Sequence, residues 1–408
     1  IINKIMKNKL YLLAISLGVT AMVLGLTAIA AKSSATVEPM SRKIVVFQPE
    51  FLNEAAQDEL VSRVGGVKIK NLDLIGGKAV YLPSKAAERA LARQAGVLRI
   101  DDDVVVEALA KGGGKPAPSQ PAETLPWGVD RIDADLVWAT TTGDPIRVAI
   151  VDTGIDVKHP DLKDNIKGGV STVGYTSSYN DDNGHGTHVA GIAAAIDNEI
   201  GVIGVGPKID LYAVKVLDRR GSGYLSDVIE GLDWAIQNGM QVVNMSLGTA
   251  SNILSFQEAV QRVNAAGIVQ VAAAGNSGGS VIYPAAYSEV IAVSATDNTD
   301  KIASWSSRGP EIDLAAPGVN IYSTYKGSTY KTLSGTSMAA PHVAGSAALV
   351  LSVPSKCENL LDNVAGCSPA EVQKRLEDTA EQVAPDTIPG KDGLYGSGLV
   401  DAEKAVIQ

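Results

Sequence analysis

The chain has 408 residues, of which 45% are hydrophobic, 5% are aromatic and 41 are glycine, and this length fits one large domain or two rather than one small domain. Residues 1–120 carry 16 Lys and Arg against 11 Asp and Glu, whereas the remainder carries 19 against 34. An acidic body argues against a nucleic-acid partner, because phosphate recognition needs a basic surface.

The N-terminal segment predicts export. Three lysines among the first nine residues precede an apolar run at residues 10–31, and the polar letters KSSA follow. This order is typical of a secretory signal peptide, with cleavage after Ala30 or Ala35. Because the run is long enough to cross a bilayer, an uncleaved, outward-facing membrane anchor is the alternative. We assign residues 1–31 to one or the other.

Residues 41–109 predict a small α+β domain. Strands are indicated at RKIVVFQ and GGKAVYL, helices at 54–64 and 84–94, and a last strand region at VLRIDDDVVVEAL. Residues 110–121 include KGGGKPAPSQP, in which Gly and Pro prevent regular structure, so we predict an exposed linker there.

Residues 122–408 predict an α/β domain with a mostly parallel central sheet and helices on both faces. Apolar runs rich in β-branched residues indicate buried strands at IRVAIVD, IDLYAVKVL, QVVNMSLG, GIVQVAAAGN and VIAVSAT. Helical patterns at 186–195, 226–238 and 255–266 alternate with them. In such sheets the chemistry collects at the carboxyl ends of the strands, where four polar residues follow: Asp152, Asn244, Ser246 and Asn276.

Three segments contain the residue types of a serine nucleophile mechanism. Asp152 ends a strand in VAIVDTGID, His185 begins a helix in NGHGTHVAGIAAA, and Ser337 begins another in LSGTSMAAPHVAG. A serine hydroxyl needs a neutral imidazole to accept its proton and a carboxylate to orient that imidazole. The N-terminus of each helix favours negative charge that develops there.

Each segment alone has another interpretation. DTG also surrounds the carboxylate of aspartic proteases, but that mechanism needs a second such Asp, and the chain has no second D-[ST]-G. His185 and His188 could bind a metal ion, but no H-E-x-x-H pattern or third ligand accompanies them. Ser337 is outside any G-x-S-x-G elbow, which disfavours an α/β-hydrolase.

Together, in the order Asp, His, Ser that subtilisin itself has, these segments resemble the subtilisin-like serine proteases. The resemblance extends from about Leu125, in LPWGVDRI, to YGSGLVDAEKA near the C-terminus, and residues 41–109 resemble the inhibitory propeptide of that family. It implies a secreted, monomeric serine endopeptidase that is made as an autoprocessed zymogen. Such an enzyme would cut protein or peptide substrates through an acyl-enzyme at neutral to alkaline pH.

The resemblance also implies individual catalytic roles. Asp152 would stabilise charge, His185 would be the general base and Ser337 the nucleophile. Asn276 would donate a hydrogen bond to the oxyanion, together with the N–H of Ser337. His342 lies one or two helical turns past Ser337, so we interpret it as structural.

A two-strand clamp for an extended peptide and a primary pocket are implied as well. Ile282 falls at the pocket base, where many relatives carry a small residue, so we expect a shallow pocket for small or medium side chains. The implied clamp residues are Ser222, Gly223 and Tyr224 on one rim and Ser246, Leu247 and Gly248 on the other. The implied pocket walls are Ala273, Ala274 and Gly275.

The end of the propeptide would resemble a cleavage product in this cleft. Val106 would occupy an outer apolar pocket, and alignment suggests cleavage after Leu109. Since leucine is large for a shallow pocket, cleavage after Ala108 or Ala110 is the alternative.

A structural calcium site is the remaining implication of the resemblance. Its ligands would be oxygen atoms of mixed carboxylate, amide and carbonyl character, which suit calcium. An ordinary acidic loop is the alternative. The implied ligands are the side chains of Glu123, Asp161 and Asn198 and the backbone carbonyls of Ile196, Ile200 and Val202.

The two cysteines, Cys357 and Cys367, are too few for a disulfide scaffold. In an exported protein they can pair or remain free, and the sequence leaves both open.

Two other functions remain open at this stage. One is a catalytically silent binding protein held closed by its propeptide, which the intact catalytic positions disfavour. The other is a secreted esterase or amidase with the same triad.

Overall fold

The computed structural model describes residues 40–50, 53–110, 112–113, 115–117, 120–358, 360–361, 366–383 and 392–408. Residues 41–408 form one compact unit. The predicted signal peptide or anchor at residues 1–31 lies outside the described residues. Within the part of the chain that is described, no helix is long and apolar enough to cross a membrane.

The N-terminal part of this unit is a four-stranded antiparallel sheet, in the order β2-β3-β1-β4, with two helices. Each helix begins at a capping side chain: Asn53 Oδ1 accepts from Ala55 N, and Ser84 Oγ accepts from Ala87 N. The elements are β1 Ser41–Phe47, α1 Glu54–Arg63, β2 Val67–Leu72, β3 Gly77–Leu82, α2 Lys85–Ala92 and β4 Val97–Asp102.

The predicted last strand region is confirmed as strand, but it forms two strands in different sheets rather than one. Strand β4 ends at Asp102, just before Asp103, and Val105–Ala108 forms a separate strand, β5, in a different sheet. Asp103 is buried, and its carboxylate accepts hydrogen bonds from the N–H and hydroxyl of Ser226. This contact with a distant residue ends β4 and redirects β5.

The central sheet has seven parallel strands in the order β14-β13-β12-β10-β6-β8-β7. Alternate residues of one strand enter two separate cores: Val148 and Ile150 lie in one, and Ala149 and Val151 lie in the other. The predicted α/β fold is therefore confirmed. The strands are β6 Arg147–Asp152, β7 Ile166–Ser171, β8 Asp210–Lys215, β10 Val242–Met245, β12 Val269–Ala273, β13 Ile291–Thr296 and β14 Leu314–Pro317.

Helices α4 and α7 contribute to the first core, and α5 and α6 contribute to the second, so both faces of the sheet are covered. Two small sheets complete the fold, one of β11, β5 and β9 and one of β15 and β16. The helices are α3 Trp127–Arg131, α4 His185–Ala194, α5 Leu225–Gln237, α6 Leu254–Ala265, α7 Thr336–Leu351, α8 Pro369–Asp378 and α9 Ala402–Ile407. The remaining strands are β9 Ser222–Tyr224, β11 Leu247–Gly248, β15 Ile321–Tyr325 and β16 Thr329–Leu333.

The N-terminal sheet packs against the starts of α5 and α6 through two carboxylates. Asp103 accepts from Ser226 N at 2.8 Å, and Asp101 accepts from Ser255 N at 3.1 Å. Both carboxylates thus lie at the positive ends of helix dipoles. The division of the unit into propeptide, linker and catalytic domain remains a prediction.

Cys357 and Cys367 form a disulfide bond. Cys357 lies at the end of a short helical turn that follows α7, at residues 354–356. Cys367 directly precedes Ser368, which caps the N-terminus of α8. It resolves the alternative that the sequence left open.

Candidate active site

Asp152 and His185 meet at the carboxyl edge of the central sheet. Asp152 is the last residue of β6, and His185 is the first residue of α4. His185 Nδ1 lies 2.8 Å from Asp152 Oδ1 and 2.9 Å from Oδ2, and both residues are buried. Asp152 Oδ1 also accepts from Thr153 N at 2.7 Å, which fixes the carboxylate plane. The imidazole is therefore oriented by a carboxylate that is itself held in place.

A second buried carboxylate, Asp181, holds the turn that leads into α4, and the sequence analysis missed it. Thr153 Oγ donates to Asp181 at 2.9 Å and accepts from Gly186 N at 2.9 Å. Thr153 thus links the end of β6 to the start of α4. The only sequence signal was the acidic pair NDDN just before the histidine. The other groups that donate to Asp181 are the N–H groups of Asn183, Gly184 and Thr187 and the Thr187 hydroxyl.

The electrostatics distinguish His185 from the other buried histidines. Burial alone would lower the pKa of His185, but the charge of Asp152, the hydrogen bond to it and the charge of Asp181 raise the pKa above the ordinary 6.5. Burial lowers the pKa of His188 to about 3 and that of His342 to about 4. His342 Nδ1 donates to Met338 O at 2.8 Å, within its own helix.

Ser337 lies in the first turn of α7 and is fully buried. Its hydroxyl donates to Ser246 O at 2.9 Å. His185 Nε2 is buried and has no hydrogen-bond partner within the described ranges. The imidazole lone pair is thus unoccupied, and the hydroxyl points to a backbone carbonyl rather than to the histidine.

Asn276 lies between the start of α7 and the end of the N-terminal part. Its Oδ1 accepts from Thr336 N at 2.9 Å, which orients the amide, and its Nδ2 donates to Leu109 O at 2.6 Å. Gly335 lies against the same carbonyl, since a Cβ there would be 2.4 Å from Leu109 O. The Leu109 carbonyl is therefore held at the N-terminus of the helix that carries Ser337.

The strand β5 lies between the two predicted clamp strands. Val105, Val106 and Glu107 pair antiparallel with β9, and Glu107 and Ala108 pair with β11. Leu109 N donates to Ser246 O at 3.2 Å. The structure thus brings the predicted clamp residues together around residues 105–109, which have the conformation of an extended peptide. The paired clamp residues are Ser222, Gly223 and Tyr224 in β9 and Leu247 and Gly248 in β11.

Ile282 lies beside the predicted pocket walls. Its N–H donates to Ala274 O at 3.1 Å, and its side chain fills the space that faces two glycines. A Cβ on Gly248 would be 2.7 Å from Ile282 Cδ1, and one on Gly275 would be 3.3 Å from Cγ1. Ala273 and Ala274 are fully buried.

The predicted calcium ligands converge as well. Asp161 is buried and accepts from Val202 N at 3.0 Å and from Asn198 Nδ2 at 2.8 Å, while Glu123 Oε1 accepts from Asn198 N at 2.7 Å. Burial raises the pKa of Asp161 to about 6, although these hydrogen bonds oppose the shift. The described residues contain no group of three or more His, Cys, Asp or Glu suited to a metal ion, and the predicted set has only two carboxylates. Its other predicted members are Ile196 and Ile200, on the loop between α4 and β8.

Comparison with known proteins agrees with this geometry. Residues 143–398 match the model of the subtilase family of peptidases, and the chain belongs to this family; it is a serine endopeptidase. It is 50% identical over 287 residues to a thermostable alkaline protease of Halalkalibacterium halodurans, covering 70% of this chain and 74% of that protein.

Two further relatives are subtilisins. Subtilisin Savinase of Lederbergia lenta is 48% identical over 286 residues, covering 70% of this chain and 99% of that protein. Subtilisin amylosacchariticus of Bacillus subtilis subsp. amylosacchariticus is 40% identical over 361 residues and covers 87% of each chain. The last match is longer than residues 122–408, so it reaches into the N-terminal part.

The raised pKa of His185 predicts the acid limb of the pH profile. If His185 is the general base, it must be neutral to act, so kcat/KM should rise with pH and reach half its plateau above pH 6.5, the ordinary pKa of histidine. The measurement is kcat/KM across the pH range with a neutral substrate.

Asp181→Asn removes one negative charge that favours the imidazolium, so the midpoint should move to lower pH. Circular dichroism of the variant checks that it folds. An unchanged or higher midpoint in a folded variant would contradict this explanation of the shift.

Proposed function

We propose that this chain is the precursor of a secreted, monomeric serine endopeptidase that cuts itself after Leu109. In this proposal Asp152, His185 and Ser337 are the triad. The observation that carries it is the hydrogen bond of 2.6 Å from Asn276 Nδ2 to the Leu109 carbonyl oxygen. The Leu109 carbonyl thereby lies at the N-terminus of the helix that carries Ser337. Leu109 N and the Ser337 hydroxyl also donate to the same acceptor, Ser246 O.

The reaction begins with a proton transfer. The Ser337 hydroxyl turns from Ser246 O to His185 Nε2, which takes its proton as the oxygen attacks the Leu109 carbonyl carbon. The charge that develops on the carbonyl oxygen is stabilised by Asn276 Nδ2 and the N–H of Ser337. Removing one such donor costs about 10²–10³ in rate, as in subtilisin itself.

The imidazolium then donates its proton to the nitrogen of Ala110, and the bond to Leu109 breaks. Asp152 stabilises the imidazolium throughout. Water, deprotonated by His185, hydrolyses the acyl-enzyme and restores the serine. The same cycle then serves for protein and peptide substrates.

Covalent labelling tests the nucleophile. A fluorophosphonate should label Ser337, and Ser337→Ala and His185→Ala should each lower kcat by about a millionfold, the loss that subtilisin itself shows. His342→Ala should retain turnover and lose thermal stability, which makes it the matched control. The measurements are mass spectrometry of the labelled peptide and hydrolysis of casein.

The labelling and casein assays also distinguish the proposed endopeptidase from the two other functions that the sequence left open. A folded wild-type chain that is neither labelled nor active would indicate a silent binding protein. Hydrolysis of esters without hydrolysis of casein would indicate an esterase or amidase.

We further propose that residues 41–109 inhibit the enzyme until they are removed. Residues 105–109 occupy the clamp, and four side chains at the interface add charge-assisted contacts. Arg99 pairs with Glu258 at 2.6 Å, and Lys70 pairs with Asp227 at 2.5 Å. Export follows from the predicted signal at residues 1–31.

We also propose that Ile282 limits which side chains the primary pocket accepts. Ile282 fills the space between Gly248 and Gly275, so the pocket is shallow and favours small or medium side chains. Leu109 lies at the upper limit of that class.

Ile282→Gly should deepen this pocket. We expect kcat/KM for substrates with Phe or Tyr before the cleaved bond to rise relative to Ala by about tenfold, since a single methylene in a hydrophobic pocket is worth about 10–200-fold. The measurement is a peptide-library profile of both enzymes. Preference of the wild-type enzyme for Phe or Tyr would contradict the proposal.

We also propose that calcium binds between Glu123, Asp161 and Asn198. Asp161 is buried, its hydrogen-bond donors are neutral groups, and the nearby Glu123 adds negative charge, so a cation suits the site. The backbone carbonyls of Ile196, Ile200 and Val202 would complete an oxygen-only set. When bound, calcium would tie the N-terminal segment to the loop that follows α4.

Removal of calcium should lower thermal stability. A chelator should reduce the Tm of the wild-type enzyme, because a ligand that binds only the folded state stabilises it. Asp161→Asn should have a lower Tm that the chelator no longer changes. A wild-type Tm that is indifferent to chelator and to added calcium would refute the site.

A further inference from the structure

Three described residues beyond the Leu109–Ala110 bond, Ala110, Gly113 and Ala117, lie along one edge of β16. Gly335, just past the end of β16, contacts Ala110, since a Cβ on Gly335 would be 3.2 Å from Ala110 Cα. Further along, Ala117 N donates to Tyr330 O at 2.7 Å, in an antiparallel bridge. The segment therefore leaves the active site antiparallel to β16.

Gly113, which lies between Ala110 and Ala117 in the sequence, also packs closely against β16. A Cβ on Gly113 would be 2.4 Å from Thr332 O and 2.7 Å from Leu333 Cδ2. Tyr330 and Thr332 are two residues apart, so they face the same edge of β16. The opposite edge of β16 pairs with β15. Gly113 and Ala117 thus lie at the edge of β16 that β15 leaves free, the kind of edge to which peptide ligands add as a strand.

The other end of the segment is anchored independently of the cleaved bond. Gly201 N donates to Pro121 O at 2.8 Å, and Thr124 N donates to Gly201 O at 2.9 Å. Neither these bonds nor the bond to Tyr330 involves Leu109. Hydrolysis after Leu109 therefore leaves the chain held at Ala117 and again at Pro121 and Thr124.

We propose that Ala110, Gly113 and Ala117 stay at the free edge of β16 after the first cut and obstruct the leaving-group side of the cleft. Ala110 is the first residue beyond the cleaved bond, so the path from Gly335 to Thr332 is the path that the leaving half of a long substrate must begin to follow. The mature enzyme is then partly inhibited by its own N-terminus toward long peptides. This inference rests on the proposed function.

Two adjacent glycines provide a matched pair of variants. Gly113→Ala places a methyl group against Thr332 O, whereas a Cβ on Gly112 meets nothing within 4 Å. A second pair is Ala117→Pro, which removes the N–H that donates to Tyr330, and Ala117→Ser, which keeps it. Gly113→Ala and Ala117→Pro should displace the segment, and Gly112→Ala and Ala117→Ser should leave it in place.

Two substrates then report on the segment. The first is the sequence of residues 105–109 with a p-nitroanilide leaving group, which has no residues beyond the cleaved bond. The second has the same five residues extended by the sequence of residues 110–117. For Gly113→Ala and Ala117→Pro, the ratio of kcat/KM for the extended to the short substrate should rise about two- to tenfold, which corresponds to one backbone hydrogen bond. For Gly112→Ala and Ala117→Ser, the ratio should equal that of the wild-type enzyme.

The mature wild-type enzyme supplies direct measurements. Its N-terminus should be Ala110 by sequencing, and hydrogen exchange should show the Ala117 amide protected, with the protection lost in Gly113→Ala. A mature N-terminus beyond Ala117, an unprotected amide, or an unchanged ratio in both displacing variants would overturn the inference. Failure of the wild-type enzyme to cut the nitroanilide would instead contradict the proposed function.

Discussion

The burial of helix α7 is the constraint on which the site depends. From Thr336 to Val350 each of its residues is buried, so the helix passes through the core rather than along the surface. This close packing needs small side chains; a Cβ on Gly345 would lie 2.6 Å from Val205 Cβ. Because the helix has no freedom to shift, its first turn presents Ser337 at a fixed position beside β10 and β12.

The second fixed point is the junction of β6 and α4. Thr153 bonds to Asp181 and to Gly186 N, so the strand that carries Asp152 and the helix that carries His185 cannot separate without breaking buried hydrogen bonds. A polar network of this kind is costly to break in a water-excluded site. Two rigid elements thus fix the positions of His185 and Ser337.

Much of this arrangement could be predicted from the sequence because its signals are local. Apolar runs rich in β-branched residues predicted the sheet. The sequence motifs around Asp152, His185 and Ser337 predicted that these residues lie at the ends of strands and helices. Strand β2 was missed because lysines interrupt its apolar residues at the edge of its sheet. The end of β4 before Asp103 was missed because Asp103 is held by Ser226, which is 123 residues away. The direction of the Ser337 hydroxyl and the role of Asp181 also depend on distant contacts, which periodicity does not reveal.

The clamp holds residues 105–109 through the backbone, with Val106 buried beneath and Leu109 held by its carbonyl. If residues 41–109 inhibit the enzyme as we propose, substrate and inhibitor are the same kind of extended peptide and differ in how firmly the rest of the molecule is attached. A short peptide with this sequence and an aldehyde in place of the scissile amide would carry the recognition elements without the bond to be cut. In the proposed zymogen, five of its own residues are thus a template for a selective inhibitor of the mature enzyme.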